Sequence, residues 1–254
     1  MTAPIGLQSY TLRKALAEDF EGVVKQVANI GYIGFQSSID SFSSQSQEAK
    51  FFRSLGLRSP APHIKLPITE DLKPALDNAA AADAQYVVVS MIPASEFQTI
   101  EKIQQAAERL NEADALVRQH GLALSYHNHW WEFESVIEGR TAHEILRDYL
   151  NPTVTFELDV YWAQVGGSDP LQVLKELGPR APLLHIKDGP AVKGQPMTAV
   201  GTGIVDIPGI IKASEGIAQW QIVELDECAT DMLEAVRDSY TYLVGKGFAR
   251  GNKG

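Results

Sequence analysis

Eight short strand-like segments alternate with helical patterns along the chain, and this alternation limits the fold more than any other feature. The clearest segment is Gln85–Ser90, a β-branched run between polar residues. Alternation of this kind predicts parallel βαβ units, and eight units in 254 residues predict a single closed (β/α)8 TIM barrel domain spanning 1–254. The predicted strands cover residues 5–10, 32–35, 57–61, 85–90, 122–126, 153–158, 182–186 and 220–224.

The segments between these strands predict helices wherever apolar residues recur at spacings of three and four. Thr69 and Ser95 are candidate N-caps for two of the helices. The Ser-rich segment 37–46 and the Gly- and Pro-rich segment 189–209 predict loops. The predicted helices cover residues 19–30, 48–55, 69–82, 95–120 and 141–149, a helix that starts at 169, and 230–244.

Composition and charge exclude several classes of protein. The net charge of −10 argues against binding to the phosphate backbone of nucleic acids. The sequence contains no run of 18 apolar residues, so we expect no membrane span. The N-terminus lacks the pattern of a signal peptide. The single cysteine, Cys228, fits a reducing compartment, so we expect a cytoplasmic protein. Assembly into a homo-oligomer is compatible with the sequence.

Four of the predicted strands lead directly into histidine or carboxylate residues. The carboxyl ends of all strands in a TIM barrel meet at one mouth, so Asp159, His185 and Glu224 are expected to converge there. Mixed carboxylate and imidazole ligands suit Mn2+, Mg2+, Co2+ or Zn2+. The sequence therefore predicts a site for one divalent metal ion.

The fourth metal ligand is expected from strand five, and the sequence leaves two candidates. His127 and His129 have the same strand parity, so both could face the mouth. Glu132 follows a few residues later and could fold back to the same place. The choice between His127 and Glu132 stays open at this point.

Aromatic residues and one further histidine are candidates for substrate binding. Trp130, Trp131 and Trp162 could stack on a sugar face at the mouth, or could pack against the core. His63 follows the predicted third strand and could contact substrate, although capping or packing is an equal alternative.

Several motifs at the strand ends resemble those of the sugar phosphate isomerase/epimerase superfamily, the xylose isomerase-like barrels. The resemblance extends over nearly the whole chain and is specific for the superfamily rather than for a substrate. The motifs are Tyr126-His-Asn-His-Trp-Trp-Glu-Phe133, Leu158-Asp-Val-Tyr-Trp162, His185-Ile-Lys-Asp188, Gly201-Thr-Gly-Ile-Val-Asp206 and Val223-Glu224.

The resemblance implies a divalent metal, often manganese, held by Asp159, His185 and Glu224. Two positions depart from the pattern of the superfamily. His127 stands where many relatives carry a glutamate ligand on strand five. Gln36 stands where the family often has glutamate at the end of strand two, and it is a candidate substrate-binding residue.

The leading functional prediction is a metal-dependent isomerase or epimerase that acts on a sugar, sugar phosphate or keto-sugar. Glu224 is the candidate base that removes a proton beside a carbonyl, giving an enediolate. Glu132 or His127 would return the proton, while Lys187 and His129 would hold substrate oxygens or the developing charge.

Two alternatives use the same site. A lyase or dehydratase would remove the same proton and expel a leaving group, which changes the mass of the product. A sugar-binding barrel that has lost catalysis would bind without proton exchange. A related barrel that cleaves abasic DNA is disfavoured by the net charge of −10.

Overall fold

The computed structural model describes residues 2–43 and 46–252 and forms a nearly closed barrel of eight parallel strands surrounded by helices. This confirms the predicted TIM barrel. The strands are β1 Ile5–Gln8, β2 Gly34–Gln36, β3 His63–Ile64, β4 Tyr86–Val89, β5 Ala123–His127, β6 Thr155–Asp159, β7 Leu183–Ile186 and β8 Trp220–Val223.

The strands follow one another around the sheet in the order β2-β1-β8-β7-β6-β5-β4-β3. The two ends of this sheet are joined by isolated parallel bridges from Gly34 to Arg58 and from Ser38 to His63. In the register of the sheet Asp159 lies beside His185, and Glu224 continues the neighbouring strand β8. The polar residues at these strand ends are therefore brought together at one mouth of the barrel.

Helices cover the outside of the barrel and supply short capping segments after several strands. A separate two-stranded antiparallel ribbon joins Val136–Ile137 to Arg140–Thr141. The α-helices span Arg13–Glu18, Phe20–Ile30, Glu48–Ser54, Lys73–Ala81, Ile100–Gln119, Trp131–Glu134, Ala142–Tyr149, Val160–Val165, Pro170–Leu177, Ile207–Ala213 and Met232–Gly245.

The third strand does not lie where the sequence predicted it. Residues 57–61 contribute one isolated bridge, and the strand pairing with β4 is His63–Ile64. Pro60 and Pro62 lack the backbone N–H that a central strand must donate, although their carbonyls still accept from residues of strand β4. The prolines therefore displace the regular strand toward the mouth, and His63 becomes part of it.

Two helix starts also differ from the prediction. The long helix begins after Thr99, whose side chain accepts a hydrogen bond from the Lys102 N–H, and Ser95 belongs to a preceding 3-10 turn. The helix predicted from Thr69 begins at Lys73, after a 3-10 turn. In the Ser-rich loop, Ile39–Phe42 forms another 3-10 turn, whereas positions 44 and 45 lie outside the described residues.

The barrel interior is divided into an apolar floor and a polar upper part. Leu183 and Ile222 lie two residues before His185 and Glu224 on strands β7 and β8, so they point to the same side beneath them. Trp220 adds its indole to this floor and is 2% exposed. The larger hydrophobic cluster fills the layer between the sheet and the helices. The polar residues of the mouth thus lie on a tightly packed apolar floor.

Among the described residues, none of the helices has both the length and the apolar composition needed to cross a bilayer.

Candidate metal centre

Four side chains from four successive strands meet at the mouth, and we call them the mouth cluster. Each offers one ligand atom, and these atoms lie within 4.8 Å of one another. All four side chains are buried, with relative exposures from 0 to 5%. The members of the mouth cluster are His127, Asp159, His185 and Glu224.

The donor atoms of the mouth cluster fit a divalent cation. Asp159 Oδ2 is buried and accepts no hydrogen bond of good geometry, although Lys187 Nζ lies 3.0 Å away. The other oxygen of Asp159 accepts a 2.8 Å hydrogen bond from the Trp162 N–H, which starts the helix Val160–Val165. His127 Nε2 lies 3.9 Å from Asp159 Oδ2, while His127 Nδ1 is buried on the other side, 3.3 Å from Glu157 Oε2, without a hydrogen bond of good geometry. Unpaired buried donors and acceptors of this kind are costly unless a ligand or ion completes them.

Lys187 places one positive charge among the carboxylates of the mouth. Its Nζ lies 2.7 Å from Glu224 Oε2, 2.7 Å from Asp226 Oδ2 and 3.0 Å from Asp159 Oδ2. Burial would lower the pKa of Lys187, but Asp159, Asp226 and Glu224 outweigh it and raise the pKa well above its ordinary value. Lys187 is therefore protonated at neutral pH, and it also lies 5.2 Å from the Trp162 ring centre.

The charges of His185 and Glu224 depend on each other. Burial would lower the pKa of His185, but Glu157 and Glu224 raise it to about 10. Burial would raise the pKa of Glu224, but Lys187 and His185 hold it well below the ordinary value. Two side chains therefore keep Glu224 ionised without any metal ion. Metal ligation by His185 requires the neutral imidazole, so a metal ion competes with this proton.

A second polar layer, which we call the Glu157 network, lies deeper in the barrel. Glu157 Oε1 accepts a 2.5 Å hydrogen bond from Gln36, and Glu157 Oε2 lies 2.8 Å from His63 Nε2 and 3.0 Å from His185 Nε2. Gln8 donates a 2.8 Å hydrogen bond to Gln36. Burial would raise the pKa of Glu157, but His185 and His63 keep it well below the ordinary value.

Glu157 was not predicted from the sequence, and the Gln36 side chain contacts groups inside the protein. A charged residue inside a strand buried on both faces, two positions before Asp159, was the signal that could have found Glu157. Gln36 was predicted to bind substrate, but its amide is engaged inside the protein by Gln8, Ala61, Glu157 and His185. Gln36 is 1% exposed, so almost none of its surface is open to the mouth. His63 is half-buried, so its substrate-binding role stays a prediction.

Glu132 does not join the mouth cluster. Its Oε1 accepts a 2.5 Å hydrogen bond from the Tyr126 hydroxyl, and its Oε2 accepts a 2.9 Å hydrogen bond from the His129 N–H. The side chain is fully buried, and burial raises its pKa to about 8. These two hydrogen bonds stabilise the turn after β5. His127 is the strand-five residue that contributes to the mouth cluster.

His129 and three tryptophans form one wall of the mouth. The His129 ring stacks on Trp131 at 4.2 Å, and the Trp130 ring lies 4.8 Å from that of Trp162. The Trp131 indole N–H donates to the Ile92 carbonyl, which fixes Trp131 as part of the packing. Burial, with His127 and Lys187, lowers the pKa of His129 well below its ordinary value, so its imidazole is neutral.

The chain belongs to the xylose isomerase-like TIM barrel family, whose sequence model matches residues 28–241. A comparison of the sequence with curated proteins finds no match. Among solved structures, the chain is similar to a sugar phosphate isomerase/epimerase from Parabacteroides distasonis, with 24% identity, a TM-score of 0.81, and coverage of 98% of this chain and 96% of that one.

Two further solved structures share the fold at lower identity. The probable 3-DHS dehydratase AsbF of petrobactin synthesis from Bacillus anthracis is 15% identical, with a TM-score of 0.73 and coverage of 95% of this chain and 98% of that one. The IOLI protein, solved with a bound zinc atom, is 15% identical, with a TM-score of 0.69 and coverage of 96% and 97%. At these identities the likeness establishes the fold, and the chemistry must be argued from the site itself.

Proposed function

We propose that this protein is a divalent-metal-dependent isomerase or epimerase that acts on a sugar or keto-sugar. The observation that carries the proposal is the mouth cluster, in which an ionised carboxylate, Glu224, stands beside a second carboxylate oxygen that accepts no hydrogen bond of good geometry, Asp159 Oδ2, and a buried ammonium, Lys187. A binding site for sugar alone would not require this concentration of charge in a buried place.

The metal ion would be held by the four members of the mouth cluster, and their nitrogen and oxygen donors suit Mn2+ as our first choice. When bound, such an ion supplies Lewis-acid polarisation of a substrate carbonyl. The bound zinc of the IOLI protein shows that this fold can carry a metal in another protein.

Glu224 is the proposed base. Among the described residues, its side-chain contacts all fall on Oε2, which leaves Oε1 for the substrate. Oε1 would take the proton from the carbon beside the carbonyl, and the C–H electron pair would form the double bond of an enediolate. The negative charge then develops on the former carbonyl oxygen, where the Lys187 ammonium can stabilise it.

Return of the proton determines the product. If Glu224 returns it to the former carbonyl carbon, and the hydroxyl proton of the other carbon passes to the former carbonyl oxygen, the result is an isomer with the carbonyl moved by one position. If a second group instead gives its own proton to the opposite face of the original carbon, while Glu224 keeps the one it removed, the result is an epimer. His129 is our candidate for that second group in place of Glu132; its imidazole is neutral, so it would give its ring proton while its other nitrogen takes one up from water.

Elimination is the second candidate function. The position of the Lys187 ammonium beside Glu224 favours it. Proton removal by Glu224 followed by loss of an oxygen substituent from the next carbon would require an acid near the leaving oxygen. The Lys187 ammonium, 2.7 Å from Glu224, is such an acid. Among the similar structures, the Bacillus anthracis protein is described as a probable dehydratase.

The test is proton exchange in D2O with manganese-saturated protein and a panel of aldoses, ketoses and keto-glycosides. We expect loss of one carbon-bound hydrogen signal by NMR, with unchanged product mass for isomerisation and a lower mass for elimination. Glu224→Gln should slow exchange by roughly 10²-fold or more, the usual scale for a lost general base.

Two controls make this experiment decisive. Glu227→Gln removes an exposed carboxylate from the same loop and should leave exchange unchanged. Excess manganese tests whether Glu224 is only a ligand, because recovery of near wild-type exchange in Glu224→Gln would exclude it as the base. Sugar binding without any exchange would replace the enzyme proposal by a sugar-binding barrel.

A further inference from the structure

The Gly-rich loop after β7 wraps around a carboxylate of its own chain. Asp188 Oδ1 accepts hydrogen bonds from the N–H groups of Gly189 at 2.8 Å and Val205 at 3.1 Å. Asp188 Oδ2 accepts from the N–H groups of Gly201 at 2.9 Å and Gly203 at 3.0 Å. Asp188 is 1% exposed, so these four backbone donors point at a buried anion.

The glycines of the loop are explained by this arrangement. A Cβ on Gly203 would lie 2.1 Å from Asp188 Oδ1, so a side chain there would collide with the carboxylate. Gly201 has a φ of +92°, and a Cβ would lie 2.6 Å from the Tyr242 ring. Converging backbone N–H groups in a Gly-rich loop are the usual means of binding phosphate. In this chain the converging N–H groups bind the side-chain carboxylate of Asp188 instead.

This loop lies where TIM barrels commonly bind a phosphate group, between the ends of strands seven and eight and a short following helix. Two aspartates of the chain occupy the corresponding positions. Asp188 fills the loop, and Asp206 caps the helix Ile207–Ala213 by accepting a 3.0 Å hydrogen bond from the Gly209 N–H. The backbone donors that would receive a phosphate are therefore already used.

Three cations on or against these loops also have partners within the chain. Arg13 donates to the Asp226 carbonyl at 2.8 Å, and Lys193 Nζ lies 3.3 Å from Glu134. Lys187 is surrounded by Asp159, Asp226 and Glu224 as described above. A phosphate carries about two negative charges, and it would have to approach the carboxylates around Lys187 with only Arg13, whose hydrogen-bond partners are backbone carbonyls, to offset them.

We propose that the substrate is an uncharged sugar, either a free ketose or aldose or a glycoside, and not a sugar phosphate. The inference rests on the proposed function, because it concerns the molecule that enters the same mouth. An uncharged sugar can stack on Trp130 and Trp162 and hydrogen-bond to the charged groups, and it brings no further negative charge.

The first arm of the test compares matched pairs on the metal-loaded protein. D-fructose is compared with D-fructose 6-phosphate, and D-glucose with D-glucose 6-phosphate, by exchange in D2O and by calorimetric binding. We expect the unphosphorylated member to exchange and bind at least about tenfold better, a difference of about 1.4 kcal/mol. A preference of that size for the phosphorylated member would overturn the inference.

The second arm uses inorganic phosphate and does not depend on catalysis, so it tests whether the protein has a phosphate site even if no sugar exchanges and the proposed function fails. Phosphate at millimolar concentration should shift the melting temperature of wild type by less than ~1 °C relative to equal ionic strength of chloride. Asp188→Ala empties the ring of donors, so it should lower the melting temperature, and phosphate should restore several degrees of it.

Asp188→Asn serves as the matched variant, because its amide keeps the volume and blocks phosphate entry. It should be destabilised without phosphate rescue, since the NH2 group cannot accept from the loop donors. Phosphate protection of wild type would overturn the inference, as would the absence of rescue in a folded Asp188→Ala. If Asp188→Ala does not fold, the response of wild type to phosphate decides alone.

Discussion

The two polar layers of the barrel are built from the same residue types but differ in how completely their hydrogen bonds are made. In the Glu157 network, both carboxylate oxygens of Glu157 have partners, and Gln36 uses its amide oxygen and nitrogen. In the mouth cluster, Asp159 Oδ2 is buried and accepts no hydrogen bond of good geometry, although Lys187 Nζ lies 3.0 Å away. A satisfied layer stabilises the fold, whereas an unsatisfied one at an opening is prepared for a ligand.

His185 belongs to both layers and therefore connects them. One ring nitrogen contacts Glu224 in the mouth cluster at 2.8 Å, and the other contacts Glu157 at 3.0 Å. A residue that ligates a metal with one nitrogen is commonly oriented by a carboxylate on the other. The Glu157 network thus fixes the direction in which His185 presents its nitrogen to the mouth.

We expect the largest effect from Asp159→Asn in the mouth cluster, which should lose its metal ion, whereas substitutions in the Glu157 network should not. Asparagine can still cap the helix Val160–Val165, so the substitution removes the charged ligand and retains the local fold. Wild-type protein should carry close to one divalent ion per chain by elemental analysis, and the variant should carry almost none. Asp169→Asn, at the cap of Pro170–Leu177, is the matched control and should keep its metal.

Glu157→Gln should act on stability. It leaves His63 and His185 with an incomplete partner inside the barrel, and broken buried charge networks typically cost about 3 kcal/mol. Denaturant unfolding at neutral pH measures this loss, and elemental analysis should show metal content closer to wild type than to Asp159→Asn. Loss of metal without loss of stability would mean that Glu157 is itself a ligand, and the distinction between the layers would be wrong.

Glu132→Gln should change how stability depends on pH. The folded-state pKa of about 8 exceeds the ordinary value of 4.5, so the stability due to neutral Glu132 is fully present below pH 4.5 and is lost as pH rises toward 8. Glutamine has no such titration, so the stability of wild type relative to the variant should fall over this interval. The change should be on the order of a few kcal/mol at most.

Urea unfolding of both proteins at pH 5, 6.5 and 8 measures this difference, and Glu134→Gln, an exposed neighbour on the same short helix, should show none. Metal content adds a second distinction at the same turn. Glu132→Gln should keep the ion and His127→Ala should lose much of it; the reverse pattern would return Glu132 to the set of ligands.

The smallest predicted effect concerns Trp130. If its ring stacks on the sugar, Trp130→Ala should raise KM roughly fivefold, equivalent to about 1 kcal/mol, and change kcat little. Steady-state kinetics on the best substrate of the exchange panel measures this. An unchanged KM, together with lower stability in urea, would identify Trp130 as packing alone.

The sequence could predict the fold and the mouth cluster because both follow from local patterns. Asp159, His185 and Glu224 stand directly at strand ends, and parallel strands in a barrel bring such ends together. The hydrogen-bond partners of Gln36 and Glu132 could not be predicted in this way. Each depends on which partner a rotatable side chain finds across the barrel or across a turn, and strand parity does not specify that.

The two oxygens of Asp159 join the mouth cluster to the backbone of Trp162, whose indole lies beside Lys187. Oδ1 accepts from the Trp162 backbone N–H at the start of its helix, and Oδ2 faces the cluster without a hydrogen bond of good geometry. Of the four tryptophans of the chain, Trp220 is buried in the floor, while the other three lie at the mouth. Indole emission responds to nearby charge, so intrinsic fluorescence should report cation entry directly, with Trp162→Phe as the variant that loses the signal.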